Sequence, residues 1–160
     1  MRIRRLRVEN LRRYRELDID LSPGLTIIRG PNEAGKSTIQ RAIELALTRR
    51  VTSAAGDLES LRPWDAVDGA QTVISIEFDQ DEEDGSRSGT LEKTFAGAKG
   101  TVDLRYDGQE ISDPALADQV VAELEAAPDA GGQAGAADAA ELRDALRLGR
   151  LLLAGHEVSL

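Results

Sequence analysis

The residues best suited to chemistry here are Gly30-Pro31-Asn32-Glu33-Ala34-Gly35-Lys36-Ser37, with Thr38 following. They match G-x-x-x-x-G-K-[ST], the pattern of a phosphate-binding loop. Glycines let such a loop curl with its N–H groups turned inward around phosphate oxygens. A helix starting at the loop adds unpaired N–H groups and the positive end of its dipole. Lys36 would set its ammonium against the β- and γ-phosphates, and the Ser37 hydroxyl would ligate Mg²⁺. Thr38 could add a hydroxyl contact to the α-phosphate. The bland alternative is a glycine-rich turn before a helix.

The elements around the loop favour the phosphate reading, because the motif needs a strand before it and a helix after it. Leu25 to Ile28 is a short apolar run rich in β-branched residues, which suits a buried strand. A helix is expected from near Gly35, with Ile39, Ala42, Ile43, Ala46 and Leu47 on one face. Upstream, Ile3, Leu6, Val8 and Leu11 suggest a first strand, and Leu17 to Leu21 alternates as a half-buried second. Val51 to Ala70 reads as loop. An antiparallel meander then follows: Ile74 to Phe78, an acidic turn over Asp79 to Ser86, Thr90 to Phe95, and Thr101 to Tyr106 before the Asp107-Gly108 turn. Asp113-Pro114 opens a further helix, with Asp as cap. Ala126 to Ala140 is an Ala/Gly-rich linker or loop, and a last helix is expected from about Ala139 to Leu153. The expected division is 1–125 for the main lobe, 126–140 for the linker, and 141–160 for a helix and divergent end.

Composition narrows the function classes. The chain has 160 residues, enough for about one domain, and only 3% aromatics, so its core must be aliphatic. With no cysteine and one histidine, disulfides and thiolate sites are excluded and a His-rich metal site is disfavoured. No apolar run reaches the roughly 18 residues of a membrane span. Arg7, Glu9, Arg12 and Arg13 interrupt any signal-peptide core, so a cytoplasmic location is expected. The net charge of −9 argues against nonspecific nucleic-acid binding by the whole chain. The start is nevertheless rich in arginine: Arg2, Arg4, Arg5, Arg7, Arg12, Arg13 and Arg15. Two readings stand side by side: contact with phosphate, or the solvent face of an edge strand.

The opening segment also resembles a known group. Asn10-Leu11-Arg12-Arg13-Tyr14, the strand Leu17 to Leu21, and Gly30 to Thr38 are similar to the start of the ABC-type ATPases of the SMC, SbcC, RecF and RecN group, YhaN-like members included. Arg62-Pro63-Trp64 resembles a short element of those members, or is a lone Trp covering a sheet edge. The resemblance implies an α/β P-loop NTPase fold: the first lobe of an ABC-type head, with an antiparallel β-layer beside the P-loop strand and helix. It implies ATP and Mg²⁺ as cofactors, and nucleotide contacts from Gly30, Asn32, Glu33, Ala34, Gly35, Lys36, Ser37 and Thr38, with Arg12 and Arg13 near the nucleotide edge. The partners it implies are a C-terminal ATPase lobe or second head, and DNA through the full-length protein, in repair, recombination or chromosome maintenance.

Some parts of such an ATPase are not found here. No four apolar residues precede an Asp-Glu pair, and no Ser-Gly-Gly signature occurs. Ile74 to Asp79 ends in an acid but alternates as a half-exposed strand does. His156 stands near the place where the group carries a glutamine, and reads as a chance position or a divergent end. The expectation is nucleotide binding with negligible hydrolysis by this chain alone. A non-catalytic nucleotide-binding interaction module and a P-loop kinase of another class are the alternatives. The antiparallel reading after the first helix disfavours the kinase.

Overall fold

A computed structural model describes residues 1–52, 62–63, 65–67, 69–82, 85–96, 99–126 and 155–159, with only the backbone of 82 and 155–159. Trp64, the linker from 127 onward and the helix expected over 139–153 lie outside the described residues.

A six-stranded sheet forms the bulk of the structure. Its strands are β1 (Arg2–Leu11), β2 (Tyr14–Asp20), β4 (Thr72–Glu82), β5 (Gly85–Phe95), β6 (Thr101–Tyr106) and β7 (Gln109–Ile111), in the order β2-β1-β4-β5-β6-β7 with every pairing antiparallel. β3 (Leu25–Arg29) runs into the glycine-rich loop and then α1 (Lys36–Thr48). β8 (Gly155–Ser159) pairs with β3 in parallel, and α2 (Pro114–Ala126) completes the described elements. Asp113 caps α2 as expected, its Oδ1 accepting from the Leu116 amide at 2.8 Å.

Period-two alternation decides which face of the sheet is buried. Leu6, Val8, Ile74, Ile76, Leu91 and Leu104 point to one side and are each at most 1% exposed. Ile39, Ala42, Ile43, Leu45 and Ala46 of α1, with Ala117, Val121 and Leu124 of α2, belong to the same core. Each large aliphatic side chain buried there contributes roughly 1.5–3 kcal/mol.

The outer face is a ladder of charge. Arg5 binds Asp18 through two bonds of 2.7 Å, and Arg7 adds a third at 3.0 Å. Arg2 and Arg4 both reach Asp79 at 3.2 Å. The arginines therefore face solvent, but β1 is no edge strand: it lies between β2 and β4. Opposite charges on the neighbouring strands, Asp18 on one side and Asp79 on the other, make an interior position compatible with so many arginines.

One further expectation is corrected. The acidic stretch is mostly strand rather than turn: β4 runs on to Glu82 and β5 starts at Gly85, in continuous register from Asp79↔Ser88 to Glu82↔Gly85. Asp79 is tolerated there because Arg2, Arg4 and the Ser88 hydroxyl all bind it. Strand β8 lies within the segment expected as a divergent end, and His156 stands opposite Thr26 in its ladder.

One inward position of β5 breaks the apolar pattern. Lys93 is fully buried, and its ammonium donates to the Arg49 carbonyl at 2.9 Å and to Asp118 Oδ1 at 2.8 Å. It thereby joins the end of α1 to α2 through the middle of the sheet. Removing one partner of a buried pair leaves the other charge uncompensated, so Lys93→Ala is expected to cost roughly 3–5 kcal/mol in urea unfolding. Lys93→Met paired with Asp118→Leu should cost clearly less. At the surface, the hydrogen bonds from Arg5 hold the Asp18 carboxyl below the usual carboxylate range, against a smaller opposing effect of desolvation, and the attraction of Arg5 and Arg7 adds to them. The stabilisation is present at neutral pH and is lost as pH falls below about 4. The stability gap between wild type and Asp18→Asn should therefore be at full size from neutral pH down to about pH 4 and shrink as the pH falls further, as acid-unfolding titrations would show.

Candidate functional site

The loop between β3 and α1 is built from turns that ordinary residues avoid. Gly35 sits at φ +99° and Glu33 at φ +68°, both in the left-handed region. The Ala34 amide donates to the Pro31 carbonyl at 3.2 Å, which closes the first bend. Gly35 is the residue that caps α1, and it supplies no side-chain cap. Its carbonyl accepts from the amides of Thr38 at 2.9 Å and Ile39 at 3.3 Å. The amides of Gly35, Lys36 and Ser37 make no hydrogen bond among the described residues. A helix start with uncapped donors attracts an anion, through those N–H groups and through the dipole.

Lys36 lies across the opening. Its Nζ donates to the carbonyls of Gly30 at 2.8 Å and Pro31 at 2.7 Å, so the ammonium bridges the start of the loop. A hollow of about 510 Å³ adjoins it, lined by Asn32, Glu33, Gly35, Lys36, Ser37 and Gln40 on its polar side and by Thr26, Ile28, Ile39 and Ile43 on the other. Asn32, Glu33 and Ser37 are exposed, Ala34 and Lys36 half-buried, and Gly35 and Thr38 buried. The structure thus gathers the loop residues expected from sequence around one hollow, except that Gly30, Ala34 and Thr38 do not line it.

Arg12 and Arg13 form the tip between β1 and β2, where Leu11 pairs with Tyr14. Both are exposed, and Arg12 adopts φ +52°. They reach the loop through their neighbour: the Tyr14 hydroxyl donates to the Ala34 carbonyl at 3.0 Å. Burial pushes the Tyr14 phenol up from its ordinary value, against the opposing charge of Arg13. Sequence reasoning placed Tyr14 in a motif but assigned it no role at the site, and it missed Gln40. Signals for both exist: an aromatic residue closing a two-residue turn, and a polar residue one turn into α1.

Comparison with known proteins fits this geometry. The AAA domain family matches residues 5–125. The chain belongs to this family. It corresponds to the N-terminal part of an SMC/RecF-type ATPase head. A DNA replication and repair protein RecF from Roseiflexus castenholzii is 40% identical over 62 residues, covering 39% of this chain and 16% of that protein. A DNA double-strand break repair Rad50 ATPase from Methanopyrus kandleri is 44% identical over 48 residues, 30% of this chain and 6% of that protein. The chain thus spans well under a fifth of the length of either relative. Among solved structures, an SMC head crystallised with the C-winged helix domain of ScpA superposes with a TM-score of 0.54 at 18% identity, covering 82% of this chain and 43% of that one. This AAA domain therefore has the fold of part of an SMC-type head.

The local geometry sets an expectation for Gly35. An alanine there would have to hold φ +99° with its Cβ against the Tyr14 ring. Gly35→Ala is expected to lose roughly 1–3 kcal/mol of stability in denaturant melts, more than Gly108→Ala, whose added carbon meets only open space.

Proposed function

We propose that this chain binds ATP with Mg²⁺ as part of an SMC/RecF-type ATPase acting in DNA repair, recombination or chromosome maintenance. One observation carries the reading: α1 opens on an uncapped left-handed Gly35 with three amides unpartnered among the described residues, beside a lysine that spans the loop. These groups fit a triphosphate. The amides of Gly35, Lys36 and Ser37 would take phosphate oxygens, and Lys36 would exchange its two carbonyl partners for the β- and γ-phosphates. Ser37 would hold Mg²⁺ together with those phosphates, as Mg²⁺ commonly binds through one or two protein groups plus substrate. When bound, the metal would neutralise charge on the transferring phosphate. Arg12 and Arg13, at the tip that Tyr14 joins to the loop, would face the nucleotide's edge.

The partner reading follows from an unfinished surface. β3 pairs with β8 on one side, and its other edge has no ladder partner among the described residues. The apolar side of the hollow, Ile28, Ile39 and Ile43, adjoins it. A C-terminal ATPase lobe, or a second head, would cover this side and supply the acid that polarises the attacking water. DNA would be engaged through the full-length protein, as the names of the RecF and Rad50 relatives suggest.

Titration of the chain with ATP, with and without Mg²⁺, tests the reading. Lys36→Ala should weaken binding about tenfold or more, or roughly 1.4 kcal/mol. Equal affinity in wild type and Lys36→Ala would remove the basis for the proposal.

A further inference from the structure

We propose that Tyr14 is a positioning residue for the phosphate loop: its hydroxyl and ring edge set the peptide whose N–H is the first donor of the site. The proposal deepens the nucleotide reading above and rests on it.

The peptide between Ala34 and Gly35 is planar and trans, so its C=O and N–H point in opposite directions. Tyr14 Oη donates to the Ala34 oxygen at 3.0 Å. Holding the carbonyl on the Tyr14 side turns the Gly35 N–H away from Tyr14. That amide has no hydrogen-bond partner among the described residues, and Gly35 lines the hollow. The ring acts at the same place. A Cβ on Gly35 would run into Tyr14 Oη and lie 2.7 Å from Cζ and 2.8 Å from Cε2. The aromatic edge therefore occupies the space a side chain at position 35 would need. Residues on either side of Ala34 adopt the left-handed region, a conformation that persists only where surroundings impose it.

Tyr14 is itself held from below. It follows the two-residue tip Arg12-Arg13 and pairs with Leu11, which is fully buried. Asn10 donates from Nδ2 to the Gln71 carbonyl at 3.1 Å and accepts from the Thr72 hydroxyl at its own carbonyl at 2.8 Å. The tip is thus tied to β4, and through Tyr14 the loop is tied to the tip. The arginines and the phosphate loop share one rigid base.

The full chain with Tyr14→Phe keeps the ring and loses the hydroxyl. Three readouts apply: thermal midpoint, affinity for Mg-ATP, and the backbone amide resonances of residues 34–36 without nucleotide. Positioning predicts a near-unchanged midpoint, shifted amide resonances, and affinity weakened roughly three- to tenfold, the range for one lost neutral hydrogen bond. Tyr14→Leu, which removes the aromatic edge as well, should go further in the last two readouts. Phe and Leu variants that bind Mg-ATP within twofold of wild type, or leave the amide resonances in place, overturn the proposal while the nucleotide reading stands. If wild type itself fails to bind Mg-ATP, the nucleotide reading falls and the proposal with it; shifted amide resonances would then show a packing contact only.

Discussion

The site depends on a helix that begins without a cap. A side-chain cap at such a position ordinarily contributes roughly 0.5–2 kcal/mol. Gly35 offers none, and the first amides of α1 have no partner among the described residues. A helix so started must be stabilised elsewhere, and α1 is stabilised by burial. Ile39, Ala42, Ile43, Leu45 and Ala46 all lie in the core. The antiparallel sheet thus acts as the anvil on which an uncapped helix start can be kept in shape.

The two ends of α1 are held by different chemistry. At its start, the Tyr14 hydroxyl and ring fit against Ala34 and Gly35. At its finish, the buried Lys93 ammonium binds the Arg49 carbonyl, where the helix dipole is negative. Asp118 balances that charge and brings in α2. The outer face of the sheet follows a separate rule. There arginines of β1 alternate with the aspartates of β2 and β4, in bidentate and shared contacts that keep a charged strand inside a sheet.

Much of this was legible in the residues. The glycine-rich loop, its preceding strand, α1 and the meander are local patterns of type and spacing. Other features were not, because their causes lie across the chain. Arginine enrichment marks a solvent-facing strand, but only the acids of β2 and β4 show whether that strand is central or at an edge. An acidic run looks like a turn until Arg2, Arg4 and Ser88 are seen to engage Asp79. Lys93 stands at an inward position of an alternating strand, and nothing near it in sequence announces Asp118 or Arg49.

By itself the sequence marked the candidate phosphate loop, since two glycines, a lysine and two hydroxyls within nine consecutive residues form a local pattern. The tertiary structure decided how that device is supported. Tyr14 lies 21 residues before Gly35, and Lys93 lies 44 residues after Arg49, so their contacts exist only once the sheet has brought distant strands into register. Hydrogen bonds and packing act over a few ångströms, and the chain order carries no record of which distant side chains will meet at that range.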